Sequence, residues 1–146
     1  HLADHYQLTI IEDVAKAQGA KQKDQVAGSF GIGCHSFYPT KNLGALGDGG
    51  AVTCHDELFV EKIKQLRNDG SNKKYNNELM GYNTRLDELQ ARFLSKKLNI
   101  LDEINAHKRR LAQVYFEVLS DEFINPQVDD NYYFVFHIFT IRHNRL

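Results

Sequence analysis

The chain has 146 residues, of which 42% are hydrophobic and 25% are charged, and its formal net charge is −1. This composition is typical of a soluble globular protein and excludes a disordered one. The near-zero charge gives no electrostatic footprint for nucleic acid, and no apolar run is long enough to span a membrane. With no signal-peptide pattern at the first residues either, we expect a cytoplasmic protein with reduced cysteines.

The first half of the chain predicts strands joined by polar loops. Residues 8–11 form a short apolar strand that ends in Glu12 and Asp13, so two carboxylates lie where open α/β sheets collect ligands. The stretch 21–31 is polar and rich in glycine, which predicts a loop or a short edge feature. Residues 33–38 and 51–54 read as two further strands.

The second half predicts helices and one long strand. Asp56 is expected to cap a helix that runs to about residue 68, and the polar stretch 71–77 is expected to be a surface loop. A capping box at 84–87 predicts the start of a second helix, and residues 101–120 a third. The side chains expected to face inward from the last two helices are Leu86, Leu89 and Phe93, then Ile104, Leu111, Tyr115 and Val118. Residues 132–142 are predicted to form one aromatic strand.

Lys41 stands out chemically. It follows the strand at 33–38 and precedes a glycine-rich turn at 44–50. A lysine on a tight loop beside a buried strand can lose the hydration that favours its ammonium form, which leaves a nucleophilic amine. Such an amine can form a Schiff base with a carbonyl, the bond that anchors pyridoxal phosphate.

Three blocks of sequence resemble one family in the order that the family uses. Residues 10–17 (Ile-Ile-Glu-Asp-Val-Ala-Lys-Ala) come first, and residues 36–51 (Ser-Phe-Tyr-Pro-Thr-Lys-Asn-Leu-Gly-Ala-Leu-Gly-Asp-Gly-Gly-Ala) carry Lys41. Residues 81–91 (Gly-Tyr-Asn-Thr-Arg-Leu-Asp-Glu-Leu-Gln-Ala) are the third block. Together they resemble the DegT/DnrJ/EryC1/StrS sugar aminotransferases, which use pyridoxal phosphate.

The resemblance implies a fold and a domain organisation. The fold is α/β, part of the large domain of fold type I pyridoxal phosphate enzymes, a mostly parallel sheet with helices. Residues 1–100 would be the later part of that domain, and residues 101–146 the interdomain helix and the first strand of a small C-terminal α+β domain. Because family members are longer at both ends, we expect the chain to be a fragment.

The resemblance also implies roles for site residues. Asp13 would pair with the pyridine nitrogen of the cofactor, and Ser36 would donate to its phosphate. Lys41 would anchor the cofactor and then act as the general base, a combination that favours transamination over the dehydration catalysed by relatives with histidine at this position. Asn83 would reach the phosphate of a neighbouring subunit, so that a homodimer shares its active sites.

Two further residues have less defined roles. Lys16 stands where the family usually has a glutamine that contacts the ring hydroxyl of the cofactor, and it could contact that oxygen or turn to solvent. His137 resembles a histidine near the family's active site, although a lone histidine in an aromatic strand is more often structural. The sequence has no HExxH motif that would indicate a metal site.

The resulting interpretation is a bacterial aminotransferase that moves an amino group, usually from glutamate in this family, to a nucleotide-linked keto-sugar. The family supplies amino sugars for lipopolysaccharide, surface-layer glycans and antibiotics. Two alternatives stay open. One is a non-catalytic or regulatory relative that keeps the fold, and the other is a fragment that is inactive by itself.

Overall fold

The structure, a computed structural model, describes residues 2–73, 76–143 and 145. Within these residues it contains four helices and ten short strands. The helices are α1 (Leu2–Tyr6), α2 (Glu57–Leu66), α3 (Glu88–Leu98) and α4 (Leu101–Val118). The strands are β1 (Ile11–Asp13), β2 (Lys21–Gln22), β3 (Gln25–Val26), β4 (Ile32–Ser36), β5 (Gly50–Thr53), β6 (Ser71–Lys73), β7 (Asn76–Asn77), β8 (Phe123–Ile124), β9 (Tyr132–Tyr133) and β10 (Arg142–His143).

A three-stranded sheet carries the loop of interest. Its order is β1-β4-β5, with β1 parallel to β4 and β5 antiparallel to β4. The register places Asp13 opposite Cys34, so the carboxyl ends of β1 and β4 lie at the same edge of the sheet. Residues 37–49 connect β4 to β5 and contain Lys41. The mixed sheet with its helices confirms the predicted α/β fold.

The hydrophobic core packs this connection against the helices. Its buried residues are Leu43, Ala45, Leu94 and Leu101, with Phe37 and Leu86 packed against them. Two of these residues follow Lys41 closely in sequence, whereas Leu94 and Leu101 come from α3 and α4. Because burial of apolar side chains is the main favourable term in folding, the backbone after Lys41 is anchored by the core itself.

Glu12 holds the loop that precedes β4. Its Oε2 accepts from the backbone N–H of Gly28 at 2.8 Å, and its Oε1 accepts from Phe30 at 2.8 Å and from Gly31 at 3.0 Å. Hydrogen bonds to an ionised carboxylate are stronger than neutral ones. Glu12 and Asp13 therefore separate as strand neighbours should, with Glu12 on the structural side.

We expect Glu12→Ala to destabilise the protein by about 2–4 kcal/mol, because three charge-assisted bonds disappear together. Urea denaturation would measure the loss. The matched control is Glu61→Ala, which removes an ion pair with Lys64. The side chain of Glu61 is 66% exposed and that of Lys64 is 58% exposed. This variant should change the free energy of unfolding by less than about 1 kcal/mol. Equal losses for the two variants would contradict this role for Glu12.

The predicted start of one helix is confirmed and that of another is wrong. Asp56 caps α2 as expected, since its Oδ1 accepts from the backbone N–H of Leu58 at 2.9 Å and of Phe59 at 3.2 Å. The prediction of a capping box at 84–87 is wrong, because α3 begins at Glu88. Its N-cap residue is Asp87, whose side chain makes no capping hydrogen bond. The loop expected at 71–77 instead contains β6 and β7, while residues 74 and 75 lie outside the described residues.

The inward faces of the last two helices also differ from the expected ones. Leu89 is 70% exposed, and Leu94 is the buried residue of α3. On α4, Leu111, Tyr115 and Val118 are 48%, 51% and 70% exposed. The buried residues of α4 are Leu101, Asn105 and Ala112. The prediction took the large apolar side chains as the inward ones, whereas the small Ala112 and the polar Asn105 are buried on α4.

The expected strand at 132–142 is wrong for most of its length. Only β9 and β10 are extended there, and Phe136 between them has a φ of 42°, which a strand does not allow. The aromatic rings gather instead against α4: Phe139 lies 5.2 Å from Tyr115 and 5.0 Å from Phe116, between ring centroids. The rings thus form an aromatic cluster with α4 and not one face of a long strand.

Among the described residues, no helix combines the length and the apolar character needed to cross a membrane.

Cys34 and Cys54 both carry free thiols, as expected. The stretch at 21–31 contains the small β2–β3 hairpin, which also pairs with β9.

Candidate active site

Asp13 and Ser36 lie at the edge of the sheet where β1 and β4 end. Asp13 pairs in register with Cys34, and Ser36 is two residues further along β4, so all three side chains point to the same face. Asp13 is exposed, and its Oδ1 accepts from the backbone N–H of Ala15 at 3.0 Å. The Ser36 Oγ accepts from the backbone N–H of Tyr38 at 3.4 Å. A carboxylate and a hydroxyl are thus both within reach of a ligand at this edge.

The buried side chain of Gln18 joins the two strand ends. Its Nε2 donates to the Ser36 carbonyl at 2.6 Å and to the Ala15 carbonyl at 3.3 Å. The turn after β1, which follows Asp13 and carries Lys16, is therefore tied to the end of β4. Sequence reasoning missed Gln18, because a glutamine in a short turn looks like an ordinary surface residue.

The loop that carries Lys41 is closed by backbone hydrogen bonds. The N–H of Phe37 donates to the Gly49 carbonyl and the N–H of Ala45 donates to the Phe37 carbonyl, both at 2.7 Å. The N–H of Lys41 donates to the Tyr38 carbonyl at 2.9 Å. Lys41 itself is only half-buried, although the four residues after it are buried.

Glycine is required within this loop. A Cβ on Gly44 would collide with the backbone carbonyls of Tyr38 and Pro39. The Gly44 carbonyl in turn accepts from Lys97 Nζ at 3.1 Å, which fastens the loop to α3. Among the described residues, the Lys41 amine has no hydrogen-bond or ion-pair partner. The loop therefore fixes the backbone of Lys41 and leaves its amine available.

His137 lies close to the lysines of the site. Its Nδ1 is 3.2 Å from the Oδ1 of Asn42, the residue after Lys41. Burial lowers the pKa of His137 below its ordinary value, and the ammonium groups of Lys41, Lys108 and Lys16 lower that pKa further. Lys16 and His137 also line one cavity of about 270 Å³. The structure therefore brings Lys16, Lys41 and His137 together.

Asn83 lies elsewhere in the chain. It is exposed, its backbone forms a bridge with Asn68 after α2, and its Oδ1 accepts from Arg85 Nε at 3.2 Å. Neither contact involves Asp13, Ser36 or Lys41. The role expected for Asn83 requires a second subunit, and it stays a prediction.

Within the described residues, no group of three or more histidine, cysteine, aspartate or glutamate side chains could hold a metal ion. The polar chemistry of the site consists instead of one carboxylate, one hydroxyl, two lysines and a histidine. This combination suits an organic cofactor with a carbonyl and an anionic group better than a cation.

Comparison with known proteins decides the family. A profile of the DegT/DnrJ/EryC1/StrS aminotransferase family matches residues 1–145. The chain belongs to this family. It is 46% identical over 145 residues to UDP-N-acetyl-3-dehydro-alpha-D-glucosamine 3-aminotransferase of Acidithiobacillus ferrooxidans, with 98% of the chain and 39% of that protein covered.

Two further members of the DegT/DnrJ/EryC1/StrS family are informative. The pleiotropic regulatory protein of Geobacillus stearothermophilus is 42% identical, with 97% of the chain and 39% of that protein covered. The crystal structure of DesV from S. venezuelae in complex with a ketimine intermediate superposes with a TM-score of 0.94 at 41% identity, covering 99% of the chain and 40% of DesV. These relatives confirm the expected fold type. The chain spans about 39% of the length of the two sequence relatives.

Proposed function

We propose that the protein is a pyridoxal phosphate-dependent aminotransferase that transfers an amino group from glutamate to a nucleotide-linked keto-sugar. It would act in the bacterial cytoplasm, in the biosynthesis of amino sugars for lipopolysaccharide or other surface polysaccharides. The observation that carries the proposal is that Asp13 and Ser36 lie at one edge of the sheet, where β4 leads into the loop that carries Lys41. Support for the substrate class comes from the Acidithiobacillus relative, whose name describes an aminotransferase of a UDP-linked sugar.

The residues at the sheet edge fit pyridoxal phosphate. The Lys41 amine has no partner among the described residues, so it is free to bond to an aldehyde. Asp13 is exposed and has one short bond to a backbone N–H, so its carboxylate can also face a protonated ring nitrogen. The Ser36 hydroxyl can donate to a phosphate oxygen. When bound, the cofactor supplies a ring that accepts electrons as a proton leaves the substrate carbon.

Each side chain then has a distinct task. Lys41 would hold the cofactor covalently, and its Nζ, when released from that bond, would hold the proton removed from the substrate carbon. The negative charge of Asp13 would favour a proton on the ring nitrogen. Lys16 can donate to an oxygen of the ring or stay in solvent, and the cavity that it shares with His137 is a place for substrate.

The proposal includes a homodimer with shared active sites. Asn83 is exposed and lies outside the cluster around Lys41, so it is available to the cofactor phosphate of a second subunit. We also propose that residues 1–100 belong to the large domain and residues 101–146 to the interdomain helix and the start of the small domain.

A non-catalytic or regulatory protein is the second candidate. The name of the Geobacillus relative, a pleiotropic regulatory protein, favours it. Lys16 also departs from the residue usual in the family, which is consistent with altered chemistry at the ring. The presence of Asp13, Ser36 and Lys41 favours the enzyme.

Addition of glutamate to the full-length protein loaded with pyridoxal phosphate separates the two candidates. We expect the absorbance of the bound cofactor to convert to that of the pyridoxamine form, with release of 2-oxoglutarate, and a nucleotide-linked keto-sugar to reverse the change. An unchanged spectrum with each amino donor tested would favour the regulatory protein. The same solution without glutamate is the control.

A further inference from the structure

The buried side chains of Asn42 and Asn105 and the backbone of the buried residue Gln18 connect the segments around Lys41. Gln18, Asn42 and Asn105 are 3%, 1% and 0% exposed. Asn42 Nδ2 donates to Asn105 Oδ1 at 2.7 Å, and Asn105 Nδ2 donates to the Gln18 carbonyl at 3.0 Å. Because a buried amide is costly unless its hydrogen bonds are satisfied, the bonds of Asn42 and Asn105 hold the Gln18 backbone, the Lys41 loop and α4 in one arrangement.

Two backbone carbonyls determine the orientation of these amides. The carbonyl of Gln18 can only accept, so Nδ2 of Asn105 must face it, which turns Oδ1 of Asn105 toward Asn42. The carbonyl of Val135 also can only accept, and it lies 3.1 Å from Asn42 Nδ2. Reversal of either amide would set two oxygens against each other. Oδ1 of Asn42 is therefore left facing His137.

The orientation of Asn42 determines where His137 carries its hydrogen. Oδ1 of Asn42 lies 3.2 Å from His137 Nδ1, and an amide oxygen can only accept. Nδ1 of His137 must therefore carry a hydrogen and donate it. In a neutral imidazole the lone pair is then on Nε2.

The surroundings of His137 favour the neutral ring. Burial lowers its pKa, and the cations of Lys41, Lys108 and Lys16 act in the same direction. A histidine whose pKa is lowered is neutral at neutral pH. Its Nε2 can then only accept a hydrogen bond.

We propose that Asn42 is a positioning residue that holds His137 as the neutral Nδ1–H tautomer and makes Nε2 a hydrogen-bond acceptor in the cavity lined by His137 and Lys16. A ligand at this point is expected to offer an O–H or N–H group to the ring. The value of this acceptor to catalysis rests on the proposed aminotransferase function, whereas the tautomer itself depends only on the contacts above.

Nitrogen-15 NMR of the full-length protein labelled at histidine tests the tautomer without substrate. At pH values above the ordinary histidine pKa of about 6.5, we expect the His137 Nδ1 resonance to be that of a protonated nitrogen and the Nε2 resonance that of a bare one. The His137→Gln variant assigns the signals, and the exposed His107 on α4 serves as internal reference. In Asn42→Ala the preference should shift to Nε2–H, which predominates in free histidine, or to a mixture.

A wild-type His137 with its hydrogen on Nε2 would overturn the inference, as would a folded Asn42→Ala protein with an unchanged tautomer. The wild-type spectrum decides the question even if Asn42→Ala does not fold. If His137 is found as the other tautomer, the covalent chemistry proposed for Lys41 is unaffected. If Lys41 forms no covalent bond to the cofactor, the measured tautomer of His137 still stands. The two results are therefore distinguishable.

Discussion

Lys41→Ala is expected to lower the rate of transamination by at least about 10³-fold, because one amine provides both the covalent bond and the proton transfer. General acid–base catalysis alone contributes about 10²–10⁴-fold in enzymes. The fold should survive, since Lys41 is half-buried and its amine has no partner among the described residues. Single-turnover absorbance measurements with glutamate would give the rate.

A matched variant separates the role of Lys41 from a general effect of charge. Lys62→Ala removes an exposed lysine from α2 and should leave the rate within about twofold of wild type, as is usual for surface substitutions away from a site. Addition of a small primary amine to Lys41→Ala should restore part of the proton transfer. A Lys41→Ala rate within tenfold of wild type would contradict the assignment of Lys41.

Asp13→Asn is expected to lower the rate of transamination by about 10²-fold or more. Each factor of ten corresponds to about 1.4 kcal/mol of lost transition-state stabilisation. Asparagine keeps an oxygen that can accept from the Ala15 N–H, so the turn after β1 should stay folded. The negative charge that favours a protonated ring nitrogen is lost. Rates measured with saturating cofactor would show the effect, because covalent attachment through Lys41 should persist.

Asp24→Asn provides the control for Asp13. Asp24 is an exposed aspartate between β2 and β3, and its loss of charge should leave the rate within about twofold. If Asp13→Asn retained a rate within about threefold of wild type, the carboxylate would not serve the ring nitrogen.

The local features of the site could be predicted from the sequence because they lie in contiguous motifs. Asp13 at the end of a strand, Ser36 on the next strand and Lys41 before a glycine-rich turn are each read from a few neighbouring residues. The structure adds that β1 and β4 are adjacent and parallel, which brings Asp13 and Ser36 to one edge. The Asp56 cap was predictable for the same local reason, whereas the α/β fold was predicted from the resemblance to the family.

The buried amides could not be predicted because each depends on a partner far away in sequence. Asn42 bonds to Asn105 and to Val135, which lie 63 and 93 positions further along the chain. The one local signal was Asn105 itself, which lies four residues after Leu101 and seven before Ala112 on the buried face of α4. An amide on an apolar helix face indicates a buried hydrogen bond, but its partner appears only in the fold.

The strand expected at 132–142 failed for a different reason. Alternating aromatic residues indicate β-structure only when a neighbouring strand is available to pair with them. Here Phe134, Phe136 and Phe139 pack together, and Phe116 of α4 completes the group. Tertiary packing therefore overrode the local preference for an extended backbone.

Borohydride reduction of the full-length protein with pyridoxal phosphate tests the central claim most directly. Reduction makes the bond between the cofactor and its lysine permanent, and mass spectrometry of the digested protein locates it. The account predicts a single modified peptide that contains Lys41, and none in Lys41→Ala. A label on Lys16 or on any other lysine, or no label at all, would contradict it.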